Sequence, residues 1–471
     1  MIGEISAEEL ASEEFKGYRR GDIVGKTGLE VAHESHLRGL VGGRNVVVDV
    51  SGQEIEAIDE IMPVPGGRVV LTLDADLQHI AEESFKAQNS ESEDHRGALV
   101  AMDPRNGEIL AMVSNPAYDP NAFSGGIDSA SWEELISDDR NPLRNRAIAG
   151  QYPPGSTYKA LVAVAGLSEG ILDPEEKVYC PGEYELGGHT YRCWKHGGHG
   201  EVNFNEALLR SCDVYFYELG NKLGVDTIAS YAARFGLGNS TGISLSGELP
   251  GLIPTREWKQ RVRGESWLKG ETISAAIGQG FDLVTPIQLA RAYATLVNGG
   301  VLRRPRLIKG LETWDGIPLE ADAADGVEET GLDPEILDRV RQGLIAVVED
   351  SGGSGKRARV EGVRVGGKTG TSQVVRLGLT EGLEPEEIPV HHRDHALFVA
   401  FAPAEAPEIV VAVVVEHAGQ GGGVVAAPIA QKVLAGYFEK RTRRMARGSS
   451  GVEEGENGVL PGVWSVPRSS H

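Results

Sequence analysis

Gln151-Tyr-Pro-Pro-Gly-Ser156-Thr-Tyr-Lys159 runs directly into Ala160-Leu-Val-Ala-Val-Ala-Gly-Leu167, and this junction organises the reading of the chain. Two prolines and a glycine do not sit inside a helix, so they predict a turn entering one. The segment after Ser156 is nearly all apolar and closes near Gly170, the pattern of a buried helix. Ser156 is therefore expected at a helix N-terminus, where free N–H groups and the dipole favour developing negative charge. Lys159, three residues on, comes round to the same face, within expected reach of the serine hydroxyl. A serine beside a buried amine is the layout of a nucleophile with its own base. The plainer alternative is a helix cap beside a surface lysine.

Around that junction lies a chain of 471 residues, which suggests two or three domains. Its 46 basic and 69 acidic residues leave a net charge of -23, which argues against a nucleic-acid partner. A hydrophobic share of 40% with 62 glycines suits a soluble α/β or α+β protein with many turns. No apolar run approaches the roughly 20 residues that span a bilayer; the longest, Ile409 to Val415, is strand-sized. The acidic neighbours of Met1 do not make a signal peptide, which taken literally points to the cytoplasm. Three cysteines, an odd number, cannot form a complete set of internal disulfides.

Residues 1–65 are irregular, with one clear strand at Asn45–Val50, and look like the end of something larger. From 66 to 440 the texture is regular. Strands are expected at Arg68–Leu73, Gly97–Met102 and Glu108–Val113, the last two joined as a hairpin by Asp103-Pro-Arg-Asn-Gly107. Helices are expected over Asn205–Phe235, Pro286–Asn298, Asp333–Glu349 and Pro428–Phe438, with strands at Ala396–Phe401 and Ile409–Val415 between the last two. Helices thus separate two groups of strands, which are expected to pair into one antiparallel sheet. Residues 441–471 turn basic and then Gly/Ser/Glu-rich, and a disordered tail is expected there.

Ser-x-x-Lys alone is a weak signal, and it recurs at Ser266-Trp-Leu-Lys269 with no apolar helix behind it. Lys-Thr-Gly also occurs twice, at Lys26 in the irregular N-terminal piece and at Lys368 heading a strand. A lysine and a hydroxyl side by side on a strand can hold a carboxylate, and Gly370 leaves room for it. The Lys368 stretch also matches the phosphate-loop spacing from Gly362 to Gly367-Lys-Thr369, but that loop needs a helix to begin at the lysine. The residues from Thr371 to Val375 are strand-like, which disfavours nucleotide binding. Ser211-Cys-Asp213 falls at a junction between helical segments. Its weight comes from order: Ser156-x-x-Lys159, Ser211-x-Asp213 and Lys368-Thr-Gly370 occupy a helix start, a helical loop and a strand, in the sequence found in serine β-lactamases and penicillin-binding proteins.

On these motifs the chain resembles the class B penicillin-binding proteins, most closely the penicillin-binding protein 2 subgroup that acts in cell elongation. Further stretches carry the likeness: Pro254-Thr-Arg-Glu-Trp-Lys259, Ala276-Ile-Gly-Gln-Gly280 and Arg393-Asp-His-Ala-Leu-Phe-Val-Ala-Phe-Ala402. Tyr18 to Glu30 looks like part of the family's non-catalytic pedestal. The resemblance implies an α+β fold of the penicillin-binding and serine β-lactamase type, an antiparallel sheet flanked by helices, with the remnant of a β-rich pedestal. It implies a peptidoglycan D,D-transpeptidase that is acylated by β-lactams. Ser156 would be the nucleophile, Lys159 its proton acceptor and Ser211 the proton carrier to or from the leaving amine. Lys368 and Thr369 would bind the substrate's terminal carboxylate. Backbone N–H groups of Ser156 and Thr371 would form the oxyanion hole. Most of the wider superfamily has Asn where this chain has Asp213, a departure that resembles the penicillin-binding protein 2 subgroup. Rival readings on the same fold are a β-lactamase or a D,D-carboxypeptidase, and from another class a non-catalytic penicillin sensor.

Cys180, Cys193 and Cys212 fall close together with His199, and three thiols and a histidine can close a tetrahedral zinc site. The Cys-x12-Cys-x5-His-x12-Cys spacing lacks a short knuckle, so reduced thiols are the alternative. Some relatives bind zinc in the loops beside the second motif, and aligned on them the ligands fall on Cys180, Cys193, His199 and Cys212, giving a structural Zn2+. The resemblance also implies peptidoglycan stem peptides as donor and acceptor, a SEDS-family glycosyltransferase and elongation-complex scaffold proteins as partners. It places the work outside the cytoplasmic membrane, with the family's membrane anchor and the first part of the pedestal absent from this chain.

Overall fold

The computed structural model describes residues 1–86, 95–319, 326–375, 383 and 387–449. Five antiparallel strands make its central sheet: β1 Gly97–Met102, β2 Ile109–Asn115, β3 Gly366–Ser372, β4 His395–Ala402 and β5 Ile409–Val415. They lie in the order β3-β4-β5-β1-β2. The expected hairpin joins β1 to β2, with Gly97 opposite Asn115. β1 takes β5 on its other edge, with Gly97 opposite Val415, so strands from the two distant groups do form one sheet; the expected strand at Arg68 lies apart, as Arg68–Leu71 pairs with Ile308–Glu312 in a separate sheet.

The sheet is buried on both faces, which is why its strands read as continuous apolar runs. Side chains alternate between two cores. Leu397, Val399, Phe401, Val410, Ala412 and Val414 face one core, shared with helices α2 Lys159–Ser168, α3 Asp213–Leu223 and α4 Pro286–Val297. Phe398, Ala400, Val411 and Val413 face the other, shared with Leu77 and Ala81 of helix α1 Ala75–Glu83 and with Ile429, Val433 and Leu434 of the closing helix. At about 1.5–3 kcal/mol for each fully buried large apolar side chain, these two layers fix the sheet and hence the position of β3.

The helical stretch expected over Asn205–Phe235 holds three helices, Phe204–Leu209, α3 and Val225–Arg234, and the first break falls at Ser211, at the expected junction between helical segments. The closing helix runs Ala426–Ser449, past its expected end at Phe438 and into the segment expected to be disordered. Two of its basic residues are paired: the Lys440 ammonium lies 2.6 Å from Asp74, and Arg441 2.9 Å from Glu408. The rest of the expected tail, 450–471, lies outside the described residues. The N-terminal piece holds more strand than the sequence suggests. Ile2–Glu4 pairs with Ile23–Gly25, and Gly43–Val48 with Glu54–Ile61. The last of these was missed because Ile55, Ile58 and Ile61 are spaced among five acidic or small residues. Among the described residues no helix is long and apolar enough to cross a membrane.

Candidate active site

Ser156 sits in a single 3₁₀ turn, Gly155–Thr157, and α2 begins only at Lys159, so the serine precedes the helix instead of opening it. The cause is the backbone of Pro154-Gly155. Gly155 has φ +52, and its amide donates to Gly278 O at 2.9 Å. A Cβ on Gly155 would lie 2.5 Å from the Thr371 carbonyl oxygen, so only glycine lets the Ser156 turn approach β3 this closely.

Lys159 is wholly buried. Its ammonium donates to Asp213 Oδ1 at 2.7 Å and to Ser211 O at 2.9 Å, and lies 3.4 Å from Ser211 Oγ. The bond to Ser156 expected from the sequence is not made, and among the described residues the Ser156 hydroxyl has no hydrogen-bond partner. A carboxylate competes better for an ammonium than a neutral hydroxyl does. Ser211 itself holds φ +56, a conformation rare for a residue with a side chain. That geometry aims its hydroxyl at a second buried amine, Lys368, whose Nζ donates to it at 2.9 Å. Lys368 also donates to Thr369 O at 3.1 Å, while Thr369 Oγ1 lies 2.9 Å from Ser354 Oγ. Burial, and next the charge of Lys159, pushes the Lys368 ammonium well below the usual lysine range, against the pull of Asp213. Two lysines thus share one carboxylate, with Ser211 Oγ between them.

These groups line a cleft of about 1370 Å³. Ser156, Ser211, Asp213, Thr369, Gly370 and Thr371 all border it, with Lys368 buried behind. Residues that motif reading did not single out border it too: Trp194, Gln279, Ser354, Arg357 and Asp394. Gln279 lies within the quoted Ala276–Gly280 stretch, and its amide donates to Thr371 O at 3.1 Å. Asp394 lies within the quoted Arg393–Ala402 stretch. Ser354 and Arg357 had no signal beyond a glycine-rich loop. The decoys stay outside: Lys26 pairs with Glu9, and Ser266 O accepts from Lys259. Lys368 heads no helix, since β3 is a strand through Ser372, which removes the phosphate-loop reading.

Cys180, Cys193, His199 and Cys212 meet beside the cleft, all buried, with their ligand atoms within 4.8 Å of one another. His199 Nδ1 lies 3.6 Å from Cys180 Sγ and 3.5 Å from Cys193 Sγ. Tetrahedral zinc with bonds of about 2.3 Å to sulfur sets neighbouring donors about 3.8 Å apart, so the four residues fit such an ion with little movement. A thiol–thiol hydrogen bond pulls Cys193 down and pushes Cys212 up. The cluster is tied to Ser211 and Asp213 on two sides. Cys212 lies between Ser211 and Asp213, and Trp194, next to Cys193, donates its amide to Asp213 Oδ2 at 2.8 Å. The Trp194 indole also donates to Ser211 O at 3.1 Å.

Residues 97–435 match the penicillin-binding protein transpeptidase domain, and residues 1–71 the penicillin-binding protein dimerisation domain. The peptidoglycan D,D-transpeptidase MrdA of Acinetobacter baumannii is 37% identical over 468 residues, covering 98% of this chain and 68% of that protein. The chain belongs to the class B penicillin-binding proteins of the penicillin-binding protein 2 type. Solved structures of that type agree. Pseudomonas aeruginosa PBP2, in complex with WCK 5153, superposes with a TM-score of 0.77 at 38% identity, covering 93% of this chain and 86% of that one. Helicobacter pylori PBP2, in its complex with MreC, gives 0.81 at 29% identity, covering 94% and 76%. Membership in this penicillin-binding protein 2 family makes the chain a serine-type D,D-transpeptidase with the α+β transpeptidase fold and a β-rich dimerisation region.

Proposed function

We propose that this enzyme cross-links peptidoglycan stem peptides through an ester on Ser156, during cell elongation. The observation that carries the site assignment is the buried Lys159–Ser211–Lys368 chain, whose Ser211 borders the same cleft as Ser156. Lys159 must enter the first step as a free amine. With one carboxylate for two lysines, burial favours a single shared positive charge. Once the substrate's terminal carboxylate offsets the burial that holds the Lys368 ammonium down, a proton passed through the Ser211 hydroxyl from Lys159 to Lys368 leaves Lys159 free to accept the Ser156 proton. Ser156 Oγ then bonds to the carbonyl carbon of the D-Ala-D-Ala link. As the C–N bond breaks, Ser211 protonates the leaving D-alanine amine and takes a proton back from Lys159. The acceptor amine of a second strand attacks the ester and gives its proton through Ser211 to Lys159, which returns it to the Ser156 oxygen as that oxygen leaves. Lys368 and Thr369 hold the terminal carboxylate until the D-alanine that carries it departs. Backbone N–H groups of Ser156 and Thr371 hold the oxyanion, where loss of one donor typically costs about 3 kcal/mol.

The family relationship supports this reading over a β-lactamase, a carboxypeptidase or a sensor. It also supports action outside the cytoplasmic membrane beside a SEDS-family glycosyltransferase and an MreC-like scaffold, the latter because the Helicobacter pylori relative is solved with MreC. We infer that Cys180, Cys193, His199 and Cys212 hold Zn2+ as a structural ion that braces the Ser211 loop. Turnover of a chromogenic cephalosporin tests the enzymatic class. One stoichiometric burst followed by a stall is expected, and rapid repeated turnover would make the protein a β-lactamase.

A further inference from the structure

β3 is the edge strand of the sheet, so one side of its backbone is open to the cleft. An extended peptide can add to such an edge. If its terminal carboxylate rests at Lys368 and Thr369 and its scissile carbonyl at Ser156, its upstream residues run toward Thr371 and Gln373. The register of the sheet says what waits there. Ser372 pairs with His395, so Asp394 lies level with Gln373, just beyond the end of β3, and both border the cleft.

Asp394 is half-buried and makes no ion pair among the described residues. The neighbouring cation is engaged elsewhere: Arg393 donates to Ile388 O at 2.9 Å. Burial raises the Asp394 carboxyl above the usual range, against the opposing pull of one backbone hydrogen bond from Val374, and no counter-ion lies beside it among the described residues. An extended chain advances about 3.3 Å per residue, so the side chain next upstream of the scissile D-alanine is the one that comes alongside this end of the strand.

The donor has a group that matches. A stem peptide that can serve as acceptor carries a free amine, and a donor of the same composition carries that amine too. We propose that Asp394 binds the ammonium of the donor's own diamino residue, the one preceding its two D-alanines, and so selects donors that carry a free amine there. The contact would also hold that amine away from the donor's own ester. This inference rests on the proposed placement of the donor along β3.

The test uses the whole chain and two synthetic pentapeptides ending in D-Ala-D-Ala, identical except that the preceding lysine is free in one and Nε-acetylated in the other. Each is titrated against labelling by fluorescent penicillin. The free-amine peptide should halve the labelling rate of the wild type at about a tenth of the concentration needed by the acetylated one, the size of one partly buried ion pair. In Asp394→Asn the two peptides should become equal, and Asp394→Glu should restore part of the difference. Equal competition in the wild type, or an undiminished difference in Asp394→Asn, would overturn the proposal. If Asp394→Asn does not fold, the wild-type comparison and Asp394→Glu still decide it. A wild type that penicillin does not label would instead overturn the assignment of the active site itself.

Discussion

The Lys159 ammonium lies 2.7 Å from Asp213 Oδ1, and the other oxygen of that carboxylate accepts the Trp194 amide at 2.8 Å. One aspartate therefore joins the Ser-x-x-Lys helix, the Ser-x-Asp loop and the loop carrying Cys193. The charge makes the second motif a structural clamp as well as a lining of the cleft.

Asp213→Ala should accordingly destabilise the protein by about 3–5 kcal/mol, because it strands Lys159 in a buried site. Asp213→Asn keeps the shape and should cost less. Denaturant unfolding of the two variants checks this, and equal stability of Asp213→Ala and wild type would contradict it.

Gly155→Ala should remove penicillin acylation. The new Cβ would press on the Thr371 carbonyl and would require φ +52 of a residue that resists it. The expected acylation rate is lower by about 100-fold or more, in line with the sensitivity of positioned reacting groups to small displacements. Stopped-flow labelling would show it.

Metal removal should act at a distance. Chelation, or Cys193→Ala, should lower the melting temperature and slow acylation, since Trp194 and Cys212 tie the cluster to Asp213 and Ser211. Elemental analysis should find about one zinc per chain in the wild type and a loss in Cys193→Ala. A wild type without bound metal would contradict the zinc assignment.

His395 supplies a pH dependence of stability. Burial, then the neighbouring His417, lowers it from 6.5 to about 4, with Glu416 pulling the other way. Between those values the unfolded chain binds the proton more readily, so stability is full above pH 6.5 and falls as pH drops to 4. At about 1.4 kcal/mol per unit the loss is on the order of 3 kcal/mol. His395→Gln should flatten that slope in denaturant titrations across the same range.

The sequence showed much of this site because its chemistry is local. A helix turn, a loop and a strand each carry their residues within three or four positions, and apolar runs such as Ile409–Val415 announce a doubly covered sheet. What it did not show depends on which groups compete in space. The 3₁₀ turn at Ser156 follows from Gly155 meeting β3, far along the chain. The turning of Lys159 from Ser156 to Asp213 follows from a carboxylate 54 residues away. The long closing helix follows from Asp74 and Glu408 receiving its basic end, where composition alone suggested disorder. Asp394 stayed unread because a single aspartate before a strand has no pattern until the register sets it beside Gln373.

The most direct test of the account is fluorescent-penicillin labelling of the wild type beside Ser156→Ala. The wild type should take up about one label per chain, stable to denaturation in detergent, and Ser156→Ala should take up none while melting as a folded protein. Persistent labelling of Ser156→Ala would place the acylated residue elsewhere and contradict the assignment.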